Sequence, residues 1–90
     1  MTDLLHSKPR RTVETPAERW SGGAVVQPPV QGPPVALNPT ALALWELCDG
    51  QTAVEEMVQA VSALFALDPL RARADVEAAL EDMRATGVIR

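Results

Sequence analysis

The sequence predicts a small α+β domain in which short β-strands are followed by three α-helices. The main observation is a change in the spacing of apolar residues at Asn38, from alternation before it to a helical period of about 3.6 after it. The second observation is that each of the three helical segments begins with residues that favour a helix start. The third is the proline content of the first third of the chain, which leaves room only for short strands.

Two β-prone segments, residues 23–27 and 34–37, flank a connection rich in proline and glycine over residues 28–33. Proline lacks the backbone N–H that a central strand must donate, so these prolines fit turns and sheet edges. We therefore expect a β-hairpin here. Residues 1–19 are polar and show no pattern, and we expect them to form a flexible N-terminal tail, with the folded domain over residues 20–90.

The first helix is predicted to run from Pro39 to Cys48. Asn38 is a suitable N-cap, because its side-chain oxygen can accept a backbone N–H of the first turn. Pro39 suits the first helical position, where a backbone N–H would have no partner within the helix. Gly50 can take the left-handed conformation that ends a helix, and the helical spacing turns Trp45 inward.

The second helix is predicted to begin with a capping box, in which Thr52 and Glu55 each bond the backbone of the other. The apolar residues that follow recur every three or four positions, so they define one face that we expect to be buried. They are Val54, Met57, Val58, Val61, Leu64 and Phe65.

The third helix is predicted to begin at Asp68-Pro69, which repeats the cap and proline of the first helix, and to end near Thr86. Gly87 ends it, so residues 88–89 can fold back onto the core. Because a short loop joins the first two helices, the whole layout is predicted to be of winged helix-turn-helix type. The core residues expected from the third helix are Leu70, Ala74, Val76, Leu80 and Met83.

No group of side chains in the sequence predicts catalysis, a metal site or a cofactor. The single cysteine, Cys48, has no base nearby in the sequence, and we expect it to pack as a small hydrophobic residue. The single histidine, His6, lies in the expected tail, so no serine has a histidine partner. The sequence therefore predicts a protein that is not an enzyme.

The charge distribution argues against nucleic acid as a partner. Residues 38–90 carry nine carboxylates against four arginines, and this excess would repel a phosphate backbone. The chain has no apolar run long enough to span a membrane, and its N-terminus does not resemble a signal peptide. We expect a cytoplasmic protein that binds another polypeptide rather than nucleic acid or membrane.

Five blocks between Val35 and Ile89 occur in an order and at distances that are fairly specific. They are residues 35–41 (VALNPTA), 44–50 (LWELCDG), 52–58 (TAVEEMV), 75–83 (DVEAALEDM) and 87–89 (GVI). Together they resemble the PqqD family, the winged-helix peptide chaperones that are also called precursor-peptide recognition elements.

The resemblance implies that the chain binds the leader segment of a ribosomally synthesised precursor peptide and presents it to a modifying enzyme, often a radical S-adenosylmethionine enzyme. It also implies that the leader adds as a strand to the sheet edge, beside the third helix. Small side chains on that helix would leave room for the leader, and Arg71 and Arg73 would pair with acidic leader residues. The expected peptide-binding residues are Pro34, Val35, Ala36, Leu37, Arg71, Ala72, Asp75 and Ala79.

The sequence suits two other functions less well. A winged-helix DNA-binding transcriptional regulator shares the expected fold, although the third helix is too acidic to suit DNA. A carrier protein with a prosthetic group is disfavoured, because no serine lies at a helix start in an acidic setting. The sequence leaves both a monomer and a dimer open.

Overall fold

The computed structural model describes residues 7–30 and 32–90, and in this part of the chain three strands are followed by three helices. The α+β architecture predicted from the sequence is confirmed, while its assignment to the winged helix type stays a prediction. The elements are β1 (Glu18–Trp20), β2 (Gly23–Val26), β3 (Val35–Leu37), α1 (Pro39–Leu47), α2 (Val54–Phe65) and α3 (Pro69–Ala85).

The strands form an antiparallel sheet in the order β1-β2-β3, so β2 is central and β3 is an edge strand. β2 and β3 form the expected hairpin, with Ala24 opposite Leu37 and Val26 opposite Val35. β1 was not predicted, because its residues Glu18–Trp20 show no apolar alternation and are all exposed. It pairs with β2 across a two-residue turn.

Residues 7–13, the N-terminal arm, pack against the far end of the chain. The backbone N–H of Arg10 donates to the carbonyl of Arg90 at 3.0 Å, and the reverse bond measures 2.8 Å. Thr12 N–H donates to the carbonyl of Val88 at 3.1 Å, and Pro9 is buried. Within the predicted tail of residues 1–19, Arg10 and Thr12 thus pair with the C-terminal segment, and Glu18 and Arg19 belong to β1, while the flexibility of the tail stays a prediction. Residues 1–6, which include His6, lie outside the described part.

Two of the three helix starts follow the capping residues. The side chain of Asn38 accepts the N–H of Ala41 at 2.8 Å, and that of Asp68 accepts the N–H of Leu70 at 2.8 Å. In both helices a proline occupies the first turn. The predicted starts of α1 and α3 are confirmed because capping depends only on local sequence.

α2 begins one residue later than a Thr52–Glu55 capping box requires, and that prediction was wrong. The N-cap is Ala53, whose N–H donates to the side chain of Glu56 at 3.1 Å. Thr52 belongs instead to the preceding turn, where its N–H donates to the Asp49 carboxylate at 2.8 Å. Because Asp49 already accepts this N–H, the helix starts beyond Thr52.

The core is a single cluster of apolar side chains from the sheet, the three helices and the C-terminal segment. The Trp45 indole lies inside it and donates to the carbonyl of Val88 at 3.0 Å, which ties α1 to the chain end. Its buried members are Val26, Leu37, Leu44, Trp45, Cys48, Val54, Met57, Val61, Ala72, Val76, Leu80, Met83, Val88 and Ile89.

Four residues expected in the core are exposed. Leu64, Phe65 and Leu70 are 71%, 44% and 79% exposed, and Ala74 is also exposed. The three large side chains flank the turn between α2 and α3, where neither helix packs on a further element among the described residues. Helical spacing gives a face, but only the position of the neighbouring helix decides how far along that face burial extends.

Candidate functional site

A groove opens between β3 and α3. β3 packs on β2 and α1, α3 packs on α1 and α2, and no Cα atom of β3 lies within 8 Å of a Cα atom of α3. α1 separates them and forms the floor of a cavity of about 510 Å³, a volume usual for binding sites. The groove is lined by Val35, Ala36, Leu37, Asn38, Thr40, Ala41, Asp75, Ala78, Ala79, Asp82, Met83 and Thr86.

The hydrogen-bonding direction of β3 follows from its contacts with β2. A Cβ atom on Gly23 would overlap the carbonyl oxygen of Leu37, so this carbonyl points at β2. On β2, the carbonyl of Val25 accepts the N–H of Ala17 at 2.8 Å, so the backbone N–H and C=O of Val25 point away from β3. Since successive residues of a strand bond to opposite sides, Val35 and Leu37 pair with β2.

The same alternation leaves Ala36 facing outward, with its N–H and C=O both directed to the free edge of the sheet. Asn38 continues the extended backbone, at φ −70° and ψ 172°, so its N–H lies on the same side. Its other groups serve α1: its carbonyl accepts the N–H of Leu42 and its side chain accepts that of Ala41, each at 2.8 Å. The helix cap therefore also fixes the end of the open strand.

The wall opposite β3 is one face of α3. Ala78 and Ala79 present small side chains, while the buried side chain of Met83 lies lower in the groove. Asp75 and Asp82 are exposed and contribute the two carboxylates of the lining. The groove therefore combines an unpaired strand edge, an apolar interior and an acidic wall.

Five of the eight predicted peptide-binding residues line this groove, and three do not. Pro34 precedes β3 and is exposed outside the lining, and Arg71 is exposed one helical turn before Asp75. Ala72 is fully buried in the core, so it cannot contact a ligand in the groove. Those in the lining are Val35, Ala36, Leu37, Asp75 and Ala79.

Some lining residues were not identified from the sequence. Asp82 follows Asp75 by seven residues and Thr86 follows Asp82 by four, so helical spacing from Asp75 would have found both. The presence of Thr40 and Ala41 in the lining could not be predicted by helical spacing, because it depends on how α1 packs between β3 and α3.

The thiol of Cys48 and the groups that could bind a metal ion do not form a reactive site in the described residues. Burial raises the pKa of the Cys48 thiol to about 11, and its sulfur is 3.2 Å from the Leu44 carbonyl that accepts its hydrogen bond. Within residues 7–30 and 32–90, no group of three or more His, Cys, Asp or Glu side chains is placed to hold a metal ion. No helix in that part of the chain is long and apolar enough to cross a bilayer.

The fold and the groove define the class of protein: a small α+β domain with one unpaired strand edge facing a helix. A family model described as coenzyme PQQ synthesis protein D (PqqD) matches residues 23–89, more than half of the chain. The chain belongs to the PqqD family. No curated protein and no solved structure gives a significant match. The family functions in PQQ and related peptide biosynthesis as accessory, chaperone-like proteins.

Proposed function

We propose that this protein binds the leader segment of a ribosomally synthesised precursor peptide by β-strand addition to the outer edge of β3. The observation that supports this most directly is the outward-facing backbone of Ala36 at the mouth of the groove. An unpaired strand edge offers backbone hydrogen bonds to any extended chain, and the groove beside it selects among side chains. Strand addition therefore needs no catalytic group on this protein.

The groove has room for the side chains of an added strand. An incoming residue opposite Ala36 would exchange two backbone hydrogen bonds with it, and its neighbours would direct side chains towards α3. The apolar side chains of Val35, Ala78 and Ala79 line the groove and keep exposed surface that such side chains would cover. Their burial would add to the affinity that the backbone bonds supply.

The chemistry would be performed by a partner enzyme. Proteins of the PqqD family act together with PQQ-biosynthesis enzymes such as PqqE. For this chain we propose the same division of roles: the domain holds the leader, and a peptide-modifying enzyme, in many such systems a radical S-adenosylmethionine enzyme, modifies the rest of the precursor. We place this reaction in the cytoplasm.

The described surface of α3 does not favour the alternative of DNA binding. Two of its arginines are engaged with carboxylates of the same helix, Arg71 with Asp75 at 3.9 Å and Arg73 with Glu77 at 2.9 Å. A helix that reads DNA presents an excess of cations to the phosphates. α3 has no such excess of cations, because it carries three arginines and four carboxylates.

The proposal is tested by calorimetric titration of the protein with synthetic leader segments of the precursor peptides encoded beside its gene. Two exposed alanines of α3 offer a matched pair of variants, because Ala78 lines the groove and Ala74 does not. We expect Ala78→Leu to weaken leader binding about tenfold or more by filling the space of the added strand, while Ala74→Leu leaves it within about twofold.

Equal effects of the two substitutions would place the leader elsewhere on the protein. Absence of binding by every neighbouring leader, together with salt-sensitive binding of duplex DNA, would overturn the proposal and favour the regulator. Circular dichroism of both variants checks that the helices are intact. Gel filtration of the free and leader-bound protein shows whether it acts as a monomer or a dimer.

A further inference from the structure

The charged side chains that line the groove have one sign. Asp75 and Asp82 both lie on the α3 wall, and no lysine or arginine belongs to the lining among the described residues. They are separated by seven residues, so two turns of helix place them about 10 Å apart along the groove. Both side chains are exposed at its rim.

The arginines of α3 do not compensate this charge inside the groove. Arg73 pairs with Glu77 at 2.9 Å, on a part of the helix outside the lining. Arg71 approaches Asp75 at 3.9 Å, with both side chains more than half exposed, and a pair of this kind is weak. Neither arginine lines the groove, so the expectation that Arg71 and Arg73 pair with acidic leader residues stays a prediction.

Resting on the proposed function, we propose that the groove selects leader segments that carry two basic residues, one for Asp75 and one for Asp82. Side chains on one face of an extended strand recur about every 6.7 Å, so positions two or four apart bracket the separation of the carboxylates. The flexible stem of lysine or arginine covers the remaining few ångströms.

The strand edge sets which residues of the leader come near the carboxylates. Ala36 offers the outward-facing pair of backbone groups within β3, so one leader residue bonds there, and the side chains next to it decide which residue that is. The residues on either side of that position then direct their side chains towards α3. An acidic leader residue there would face a carboxylate and be rejected, which gives the groove selectivity beyond the backbone bonds.

The test compares two charge reversals on the same helix. Asp82→Lys changes a groove carboxylate, and Glu81→Lys makes the same change in net charge at an exposed neighbour outside the lining. The probes are one leader segment that binds the wild-type protein and versions with glutamine or glutamate at its basic positions. If no neighbouring leader contains such a pair of basic residues, the selectivity proposed here is wrong.

For the wild-type protein in 50 mM NaCl we expect glutamine to weaken binding about threefold to fivefold and glutamate to weaken it further, with smaller differences in 500 mM NaCl. Asp82→Lys is expected to remove or reverse this order, while Glu81→Lys keeps it. Equal binding of all probes, or equal effects of the two substitutions, would overturn the charge selectivity and leave strand addition standing. Failure of every leader to bind would overturn both proposals.

Discussion

The two edges of the sheet differ in how they are finished. At the β1 edge the side chains are charged or bulky, and Arg19 forms an ion pair with Glu46 of α1 at 3.0 Å. At the β3 edge the outward residue is Ala36, and the groove beside it is apolar in its interior. Charged edge residues discourage a second chain from pairing, whereas a small residue beside a groove permits it. One edge of the same sheet is thus protected and the other is open.

Prolines limit the open edge. Pro33 and Pro34 precede β3, and neither has an N–H to offer an incoming strand. Beyond Asn38 the chain enters α1, whose cap uses the asparagine carbonyl and side chain. The edge can therefore accept only a short strand, which favours a short peptide segment over indefinite pairing of one copy with another.

The largest effect is expected from a change that displaces β3 itself. Gly23 has φ +143°, and a Cβ there would overlap the Leu37 carbonyl, so Gly23→Ala should lower the free energy of unfolding by about 3 kcal/mol and abolish leader binding. Urea unfolding measures this. At Gly22 a Cβ would meet only the exposed side chain of Trp20, so Gly22→Ala should cost less than about 1 kcal/mol. Similar costs at both positions would mean that Leu37 does not face β2.

The next effect distinguishes the two edges directly. Ala36→Pro removes an outward N–H from β3 and should weaken leader binding about tenfold or more, with little change in helix content. Arg19→Pro makes the corresponding change on β1. Glu18 and Trp20 lie opposite the β2 residues whose backbone groups point at β1, so the N–H of Arg19 between them points outward. Leader binding measured by calorimetry should be unchanged by Arg19→Pro. A leader that binds the Ala36→Pro protein normally would exclude strand addition at β3.

The smallest effect is expected from the ion pair at the protected edge. Arg19 and Glu46 are about half exposed, so Arg19→Ala should lower the free energy of unfolding by at most about 0.5 kcal/mol. Its effect should instead be on self-association, because it removes a charge from an edge strand. Analytical ultracentrifugation at increasing protein concentration measures this. A monomer that stays unchanged up to millimolar concentration would show that this charge does not guard the β1 edge.

Sequence reasoning succeeded where structure is decided locally. The starts of α1 and α3 follow from Asn38 and Asp68, whose side chains bond the next turn of the chain. It failed at the start of α2, where Asp49 and Thr52 form a competing turn that the capping pattern does not reveal. The bonds of the N-terminal arm join residues at opposite ends of the chain, and no local pattern reports such a pairing.

The groove was only partly predictable, because local sequence signals give its elements but not their packing. The β3 segment and α3 were predicted from the residues themselves, their joint role as a peptide site came from the family resemblance, and five of the expected residues line the groove. The alanines of α3 are alike in sequence, yet Ala72 is buried in the core while Ala78 lines the groove. Only the rotation of α3 about its axis separates them, and that rotation is set by packing against α1 and α2.

The two backbone hydrogen bonds between Arg10 and Arg90 hold the N-terminal arm beside the C-terminal residue. Chains attached before the N-terminal arm and after Arg90 would leave the body side by side. Because the two attachment points are adjacent, a tether of one length at either end would give another protein a similar effective concentration at the groove. For the design of fusions, the order in which the two proteins are joined matters less than the length of the linker between them.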